Sequence, residues 1–381
     1  MTQPLDLLYS DTEDDLRAAV RALLTDRAGH RTVLGLAETD DPYVPGLWKS
    51  LASDIGAAGL LVPEKLGGQG ASHREAAVVL EELGRAVTPV PYLTSAVVAT
   101  ETLLTLAGAR TGTGADEAAA LDAEPLAGEG GPAAELLARV ASGRTVAVLA
   151  VPLSTGPGAE PPLASPVAGV ADAVAADVLL VPRADGLYAV PAGEATIEPR
   201  TPLDLTRPLA GVTTPEGSGT RLAGPGAARA AVRRGLLAGA GLLASEQLGL
   251  AEWCLEETVR HTRERHQFNR PVGSFQALKH RMAQLWLDLV GARAAARAAA
   301  DALATGSPDA PLVVAVAQVY CSKVAVRAAE ECVQLHGGLG MTWEHPAHLA
   351  LKRAKSDQIA LGSAGRHQDA IAALVDLPAP A

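Results

Sequence analysis

Aromatic residues are scarce in this chain: Phe, Trp and Tyr make up 3% of its 381 residues, with only two phenylalanines. A core short of rings has to be filled by Ala, Leu and Val, which favours packed helices. Cysteine is scarce too. Cys254, Cys321 and Cys332 are uneven in number and lack a CxxC spacing, which excludes disulfide frameworks and zinc sites and fits a reducing cytoplasm. No uninterrupted apolar run of about 18 residues is present. The N-terminal MTQPLDLLYSDTEDD is acidic rather than a basic leader ahead of an apolar stretch. The expectation is a soluble, unexported, cytoplasmic protein. Cations are in deficit: the formal net charge of -11 excludes a surface broadly complementary to nucleic acid or to an anionic membrane.

What is present is ample material for burial, 48% hydrophobic against 20% charged, over a length that suits two or three domains of roughly 100 to 150 residues each. Ser10 with Glu13, and Ser72 with Glu75, read as capping boxes opening helices. Pro45 stands where a further helix can begin, with Leu47, Leu51 and Ile55 on one face. Residues 107 to 132, rich in Gly, Ala and acidic residues, read as a surface connection before a short helix, AAELLARVA. From Arg144 the pattern turns to short β-prone runs separated by turn residues, with Asp185-Gly186 as a hairpin signal. The helical period returns after about residue 223, with long segments near 225 to 263, 274 to 305 and 309 to 335. The predicted domains are therefore 1-143 helical, 144-222 a shortened β domain and 223-381 a helical bundle.

Two stretches could carry chemistry. In RERHQFNRPVGSFQALKHRMAQ, Arg265 and Gln276 flank the junction of two long helices. An Arg there can hold a pyrophosphate as a forked, charge-assisted donor and a Gln can fix a neighbouring phosphate or adenosine oxygen. The same residues read equally as the charged turn of a helix hairpin. In VQLHGGLGMTWEHPAHLALKRAKSDQIALGS, Gly337, Gly338 and Gly340 let the backbone close on phosphate or a flat group, or else end a helix. His336, His345 and His348 do not read as a metal site: only the last two share a helical face, and no carboxylate completes a shell, so surface or N-cap roles are expected.

Taken together, RHQFNRPVGSFQ (265 to 276), QLHGGLGMTWEH (334 to 345) and QIALGS (358 to 363) resemble the acyl-CoA dehydrogenase family. GLLVPEKLGGQGAS, AVVLEELGRAV and DLTRPLAGVT support the resemblance, which spans most of the chain. It implies a mainly α fold with a small central β domain: an N-terminal helical domain, a β-barrel-like middle and a C-terminal four-helix bundle that oligomerises. It further implies FAD as cofactor. The counterparts of Arg265, Gln267, Phe268, Phe275 and Gln276, and of Gln334, Leu335, His336, Gly337 and Gly338, would reach the FAD of a neighbouring subunit, with Ser363 near the chain's own cofactor. The implied reaction is α,β-desaturation of an acyl thioester, of coenzyme A or an acyl-carrier protein, with an electron-transfer flavoprotein as the next acceptor.

The departures are specific. The family's usual base precedes the Gly of the QIxxG[ST] motif, where this chain has Leu361; the alternative base position, on the first bundle helix, falls near Gly239. Neither is a base, and losing one forfeits roughly 10²- to 10⁴-fold in rate. Glu246 and Glu252 lie further along that helix and read as surface or interface charges. After TVAVLAV the chain runs PLSTGPGAEPPLASPVAGV, Pro-rich where the family's flavin wall is expected. The residues expected to serve a neighbour's FAD are present and those serving the chain's own are absent, so the leading expectation is the base-lacking subunit of a heteromer with a homologous partner. Two alternatives stand beside it: a competent homo-oligomeric dehydrogenase or oxidase-like enzyme with its base elsewhere, and a non-catalytic structural or regulatory protein on the same scaffold.

Overall fold

The computed structural model describes residues 7-39, 41-108, 131-163 and 165-377. Both capping boxes form. The Ser10 hydroxyl accepts from the Glu13 backbone N–H at 3.3 Å while the Glu13 carboxylate accepts from the Ser10 N–H at 2.6 Å, opening α1 (Asp11–Arg27). Ser72 and Glu75 open α4 (His73–Ala86) in the same way. Between them lie α2 (His30–Leu36) and the three-residue α3 (Leu47–Lys49). Pro45 does not start α3. Gly46, with φ 71°, caps it, and the chain then widens into a π-helical stretch, Ser50–Asp54, that buries Leu51 but leaves Ile55 half-buried. A second π-helical stretch, Tyr92–Ala99, leads into α5 (Thr100–Leu106), and α6 (Pro132–Ala141) is the short helix expected from AAELLARVA. Most of the connection expected over 107-132 lies outside the described residues.

Seven strands follow: β1 (Ala147–Leu149), β2 (Val167–Ala171), β3 (Val178–Arg183), β4 (Gly186–Pro191), β5 (Thr196–Arg200), β6 (Leu209–Thr213) and β7 (Thr220–Ala223). They form one sheet in the order β1-β3-β4-β7 and another in the order β2-β6-β5. Val148, Val170, Leu179, Val190, Ala210 and Val212 meet in one small core. The β3–β4 hairpin exists, but its turn differs from the Asp-Gly pair expected. Arg183 pairs with Gly186, so Ala184 and Asp185 make the turn and Gly186, φ 152°, already belongs to β4. The Tyr188 hydroxyl donates to the Asp185 carboxylate at 2.6 Å and Arg221 donates to the Asp185 carbonyl, which fixes the tip without a left-handed Asp.

The bundle comprises α7 (Pro225–Glu264), α8 (Gln276–Ala304), α9 (Ala310–His336), α10 (Ala347–Asp357) and α11 (Ala364–Leu374). One helical span, Ala310–Met341, is long and apolar enough by composition to cross a membrane; here its α9 part packs against α7, α8 and α10 as a core helix. α4 crosses α7 at backbone distance. A Cβ on Gly84 would overlap the Glu246 carbonyl, and one on Gly249 would overlap the Glu81 carbonyl.

Glu246 is not a surface charge. It is 2% exposed, and its Oε1 accepts from Arg207 and from Arg353, each at 2.5 Å. Arg353 also pairs with Asp204 at 2.7 Å and donates to the Thr206 carbonyl, while Arg207 reaches Asp357 at 3.2 Å. Burial works to raise the Glu246 carboxyl, but Arg207 and Arg353 outweigh it and hold it below its ordinary value of 4.5. Burial and the neighbouring Glu246 push Asp357 well above the ordinary range. This cluster joins α7, α10 and the loop before β6. Glu252, by contrast, pairs with Arg293 at the half-exposed rim.

Removing one member of a buried ion cluster strands its partners and costs about 3 to 5 kcal/mol, whereas a rim pair is worth under about 1 kcal/mol. Glu246→Gln should lower the urea-unfolding free energy on the first scale and Glu252→Gln on the second. Because the Glu246 value is depressed in the folded state, its contribution is present above about pH 4.5 and lost as pH falls below that, so Glu246→Gln should also flatten the acid limb of the stability profile.

Candidate functional site

The two expected base positions face each other. A Cβ built on Gly239 would lie 3.0 Å from Leu361 Cδ1 and 2.6 Å from Val98 Cγ2, and Leu361 itself is 4% exposed. Leu361 sits in the left-handed region, φ 52°, followed by Gly362 at 103°. Its N–H donates to the Leu153 carbonyl at 2.7 Å, its carbonyl lies 3.0 Å from His367 Nε2, and Gly156 packs on Gly362. The Pro-rich loop after β1 is thus folded onto the turn. Ser363 caps α11, its hydroxyl accepting from the Arg366 N–H at 3.5 Å.

Two buried carboxylates, Glu246 on this face of α7 and Glu101 on α5, are already committed. Glu246, seven residues from Gly239 and so on the same helical face, is held by its two arginines. On the other side Glu101 contacts Arg234 Nε at 3.0 Å and His73 Nε2 at 3.2 Å, all three buried.

The other motif residues gather at the far end of the bundle, about 38 Å along α7 from Gly239 at 1.5 Å per residue. Arg265 caps α7; His266–Gln267 pairs with Arg270–Pro271 in a two-residue hairpin whose tip, Phe268 and Asn269, has φ of 53° and 59°. Arg265, Gln267 and Gln276 are exposed and Phe268 is 84% exposed. Phe275 is half-buried, edge-on to Phe268 at 6.0 Å and stacked under Arg270 at 3.9 Å. The end of α9 meets them: His336 stacks on His261 at 4.2 Å, and Arg281 near the start of α8 bonds Glu331. Gln334, Gly337 and Gly338 are exposed and Leu335 half-buried. Gly337 ends α9 at φ 60°, and neither it nor Gly338 has an atom within 4 Å of a built Cβ. An open glycine corner beside an exposed Arg, two Gln and a Phe is a donor set that fits the phosphates and flat rings of a dinucleotide such as FAD. The Leu361 end, filled by side chains, has no such fit.

The histidines depart from expectation. His336 and His345 are buried and His348 is half-buried; His345 precedes α10 rather than sharing its face with His348. Glu257 of α7 lies between the first two, its Oε1 3.7 Å from His336 Nε2 and 3.4 Å from His345 Nε2. Burial pushes His336 down, but Cys332 and the Glu257 charge raise it to about 9. Spacing could not reveal this grouping, because Glu257 is contributed by a helix 79 residues before His336.

An exposed Phe in the left-handed region gains little from its own chain, since strain of about 1 to 3 kcal/mol offsets one edge contact. Phe268→Gly should leave the thermal stability of the isolated chain within about 1 kcal/mol of the parent, not the 3 to 5 kcal/mol lost when a packed Phe is truncated. A larger loss in a melting experiment would show that Phe268 serves its own fold.

Residues 10–113 match the family model described as acyl-CoA dehydrogenase, N-terminal domain, and residues 228–375 match that for the acyl-CoA dehydrogenase C-terminal domain. Among curated relatives, acyl-CoA dehydrogenase IpdE2 of Mycolicibacterium smegmatis is 34% identical over 360 residues, covering 93% of this chain and 95% of its own. IpdE2 of Mycobacterium tuberculosis is 35% identical over 345 residues, 89% of each. Among solved structures, the ChsE4-ChsE5 complex from Mycobacterium tuberculosis superposes with a TM-score of 0.80 at 26% identity, covering 98% of this chain and 100% of that one.

Proposed function

The chain belongs to the acyl-CoA dehydrogenase family, whose members are FAD-dependent oxidoreductases, and we propose that it acts as the base-lacking subunit of a heteromer. One observation carries this reading: both positions from which the family draws its base are occupied, against each other, by Gly239 and Leu361. FAD, when bound, accepts the β-hydrogen of an acyl thioester as hydride while a carboxylate takes the α-proton. On this reading the partner supplies that carboxylate. Arg265, Gln276, Gln334 and the Gly337–Gly338 corner would hold the phosphates and adenosine of the partner's FAD, with Phe268 beside them, His336 buried behind the corner, and Phe275 with Arg270 propping the hairpin. Glu246 and Glu101 are unsuited as substitute bases because arginines hold both, which disfavours a competent homo-oligomer. That a solved relative is itself a complex of two differently named chains, ChsE4 and ChsE5, supports the assembly. The thioester carrier is coenzyme A or an acyl-carrier protein, electrons leave to an electron-transfer flavoprotein, and the setting is cytoplasmic.

Co-expression with a homologous dehydrogenase chain, followed by mass and flavin measurements, tests the proposal. The expected complex contains one FAD per unlike pair, and the chain purified alone is colourless or weakly yellow. Arg265→Ala should reduce the flavin content of the complex while leaving its assembly intact. Stoichiometric FAD with acyl-CoA turnover by the lone chain would sink the reading. An Arg265→Ala complex that keeps its full flavin would instead favour a purely structural scaffold.

A further inference from the structure

The geometry points to a binding site for one divalent transition metal ion of the zinc class, formed by Glu257 Oε1, His336 Nε2 and His345 Nε2. These three atoms all lie within 4.8 Å of one another. Glu257 Oε1 also accepts from Arg260 at 2.5 Å, but its contacts to the two histidines, 3.7 and 3.4 Å, are too long for good hydrogen bonds. They do suit the edges of a tetrahedron around an ion with bonds of about 2.0 to 2.2 Å, which span roughly 3.3 to 3.6 Å. His336 carries the strongest sign of a missing ligand. Its ring is buried, Nδ1 is engaged by the Cys332 carbonyl at 2.6 Å, and the buried Nε2 has no hydrogen-bond partner. With the Nδ1 proton fixed by that carbonyl, it is Nε2 that faces the carboxylate, and a cation entering between them displaces the second proton of the charged ring to solvent and takes the Nε2 lone pair. His345 is oriented in turn by the Ala347 N–H, which donates to its Nδ1 at 3.2 Å. Binding there moves the ring proton from Nε2 to Nδ1, at the cost of that backbone contact. Two nitrogens and one oxygen suit zinc, cobalt or nickel, not calcium or magnesium.

The three ligands come from α7, the end of α9 and the residue two before α10, so an ion would pin the Gly337–Met341 turn between its two flanking helices to α7. The site is internal to one chain and its test needs no flavin and no partner, so it stands or falls separately from the heteromer reading.

The untagged chain, stripped with a chelator, would be titrated with Zn²⁺ by calorimetry and with Co²⁺ by visible absorption. One equivalent of either ion should bind, and Zn²⁺ should raise the melting temperature. Glu257→Gln and His345→Gln, which spare the buried His336, should each weaken binding at least about tenfold and abolish the thermal shift. His280→Gln, at an exposed histidine on α8 outside the proposed ligand set, should change neither. Absence of binding, or binding equally strong in Glu257→Gln and the parent, would overturn the assignment and leave Glu257 as a charge partner of the two histidines.

Discussion

Everything else in this molecule is arranged around the buried ion cluster in which Glu246 bridges Arg207 and Arg353. Three segments remote in sequence end there: the loop before β6, the middle of α7 and the last turns of α10. None could be buried alone. Two guanidiniums and several carboxylates taken out of water are tolerable only when each satisfies another, so the cluster forms when all three segments are in place or not at all. It therefore sets the position of the β sheets against the bundle, and with α10 it sets the turn at Leu361 that follows four residues later.

That placement explains why the lost base is a property of the whole local fold, beyond a single letter of sequence. Leu361 fills the space over Gly239, Val98 crowds the same point, and the loop after β1 is hydrogen-bonded to the turn through Leu153. The face of α7 that could have offered a carboxylate has one at 246, but its charge is spent on holding the domains together. Structure and chemistry compete for the same helix face here, and structure has taken it. At the opposite end of α7 no such compromise is visible. The hairpin tip, the glycine corner and Gln276 stand open to solvent, in conformations such as the left-handed Phe268 that their own chain does little to reward.

How much of this could be read from the sequence depends on the range of each interaction. The capping boxes at Ser10 and Ser72, the long bundle helices and the glycine end of α9 were legible because each is decided within a few residues. The β3–β4 hairpin was legible as a hairpin, yet its turn moved by one residue because Arg221 holds the Asp185 carbonyl from the neighbouring β7 strand while Tyr188, just beyond the turn, holds its carboxylate. Glu246, expected as a surface or interface charge, is instead buried between segments of its own chain, which its neighbours could not show because its partners lie 39 and 107 residues away. The grouping of His336 and His345 with Glu257 was invisible for the same reason. The motifs at 265–276 and 334–338 were found by resemblance, and the fold adds that they share one end of the bundle.

The close crossing of α4 and α7 completes the argument about constraint. Gly84 and Gly249 each place a hydrogen where a methyl would strike the facing helix's carbonyl, at Glu246 and Glu81 respectively. Those two glutamates are thus fixed by backbone contact before their side chains choose a partner. Glu81 then bonds Tyr9 and Arg17 on the outer side, Glu246 the two arginines on the inner side. Glu246 shares the helical face of Gly239 but lies two turns, about 10 Å, further along it, and a helix pair locked at this separation cannot slide to bring it to Leu361 without parting the glycines. A base on this side of the site would therefore require rebuilding the α4–α7 crossing together with the ion cluster behind it, a far larger change than restoring one carboxylate at 361.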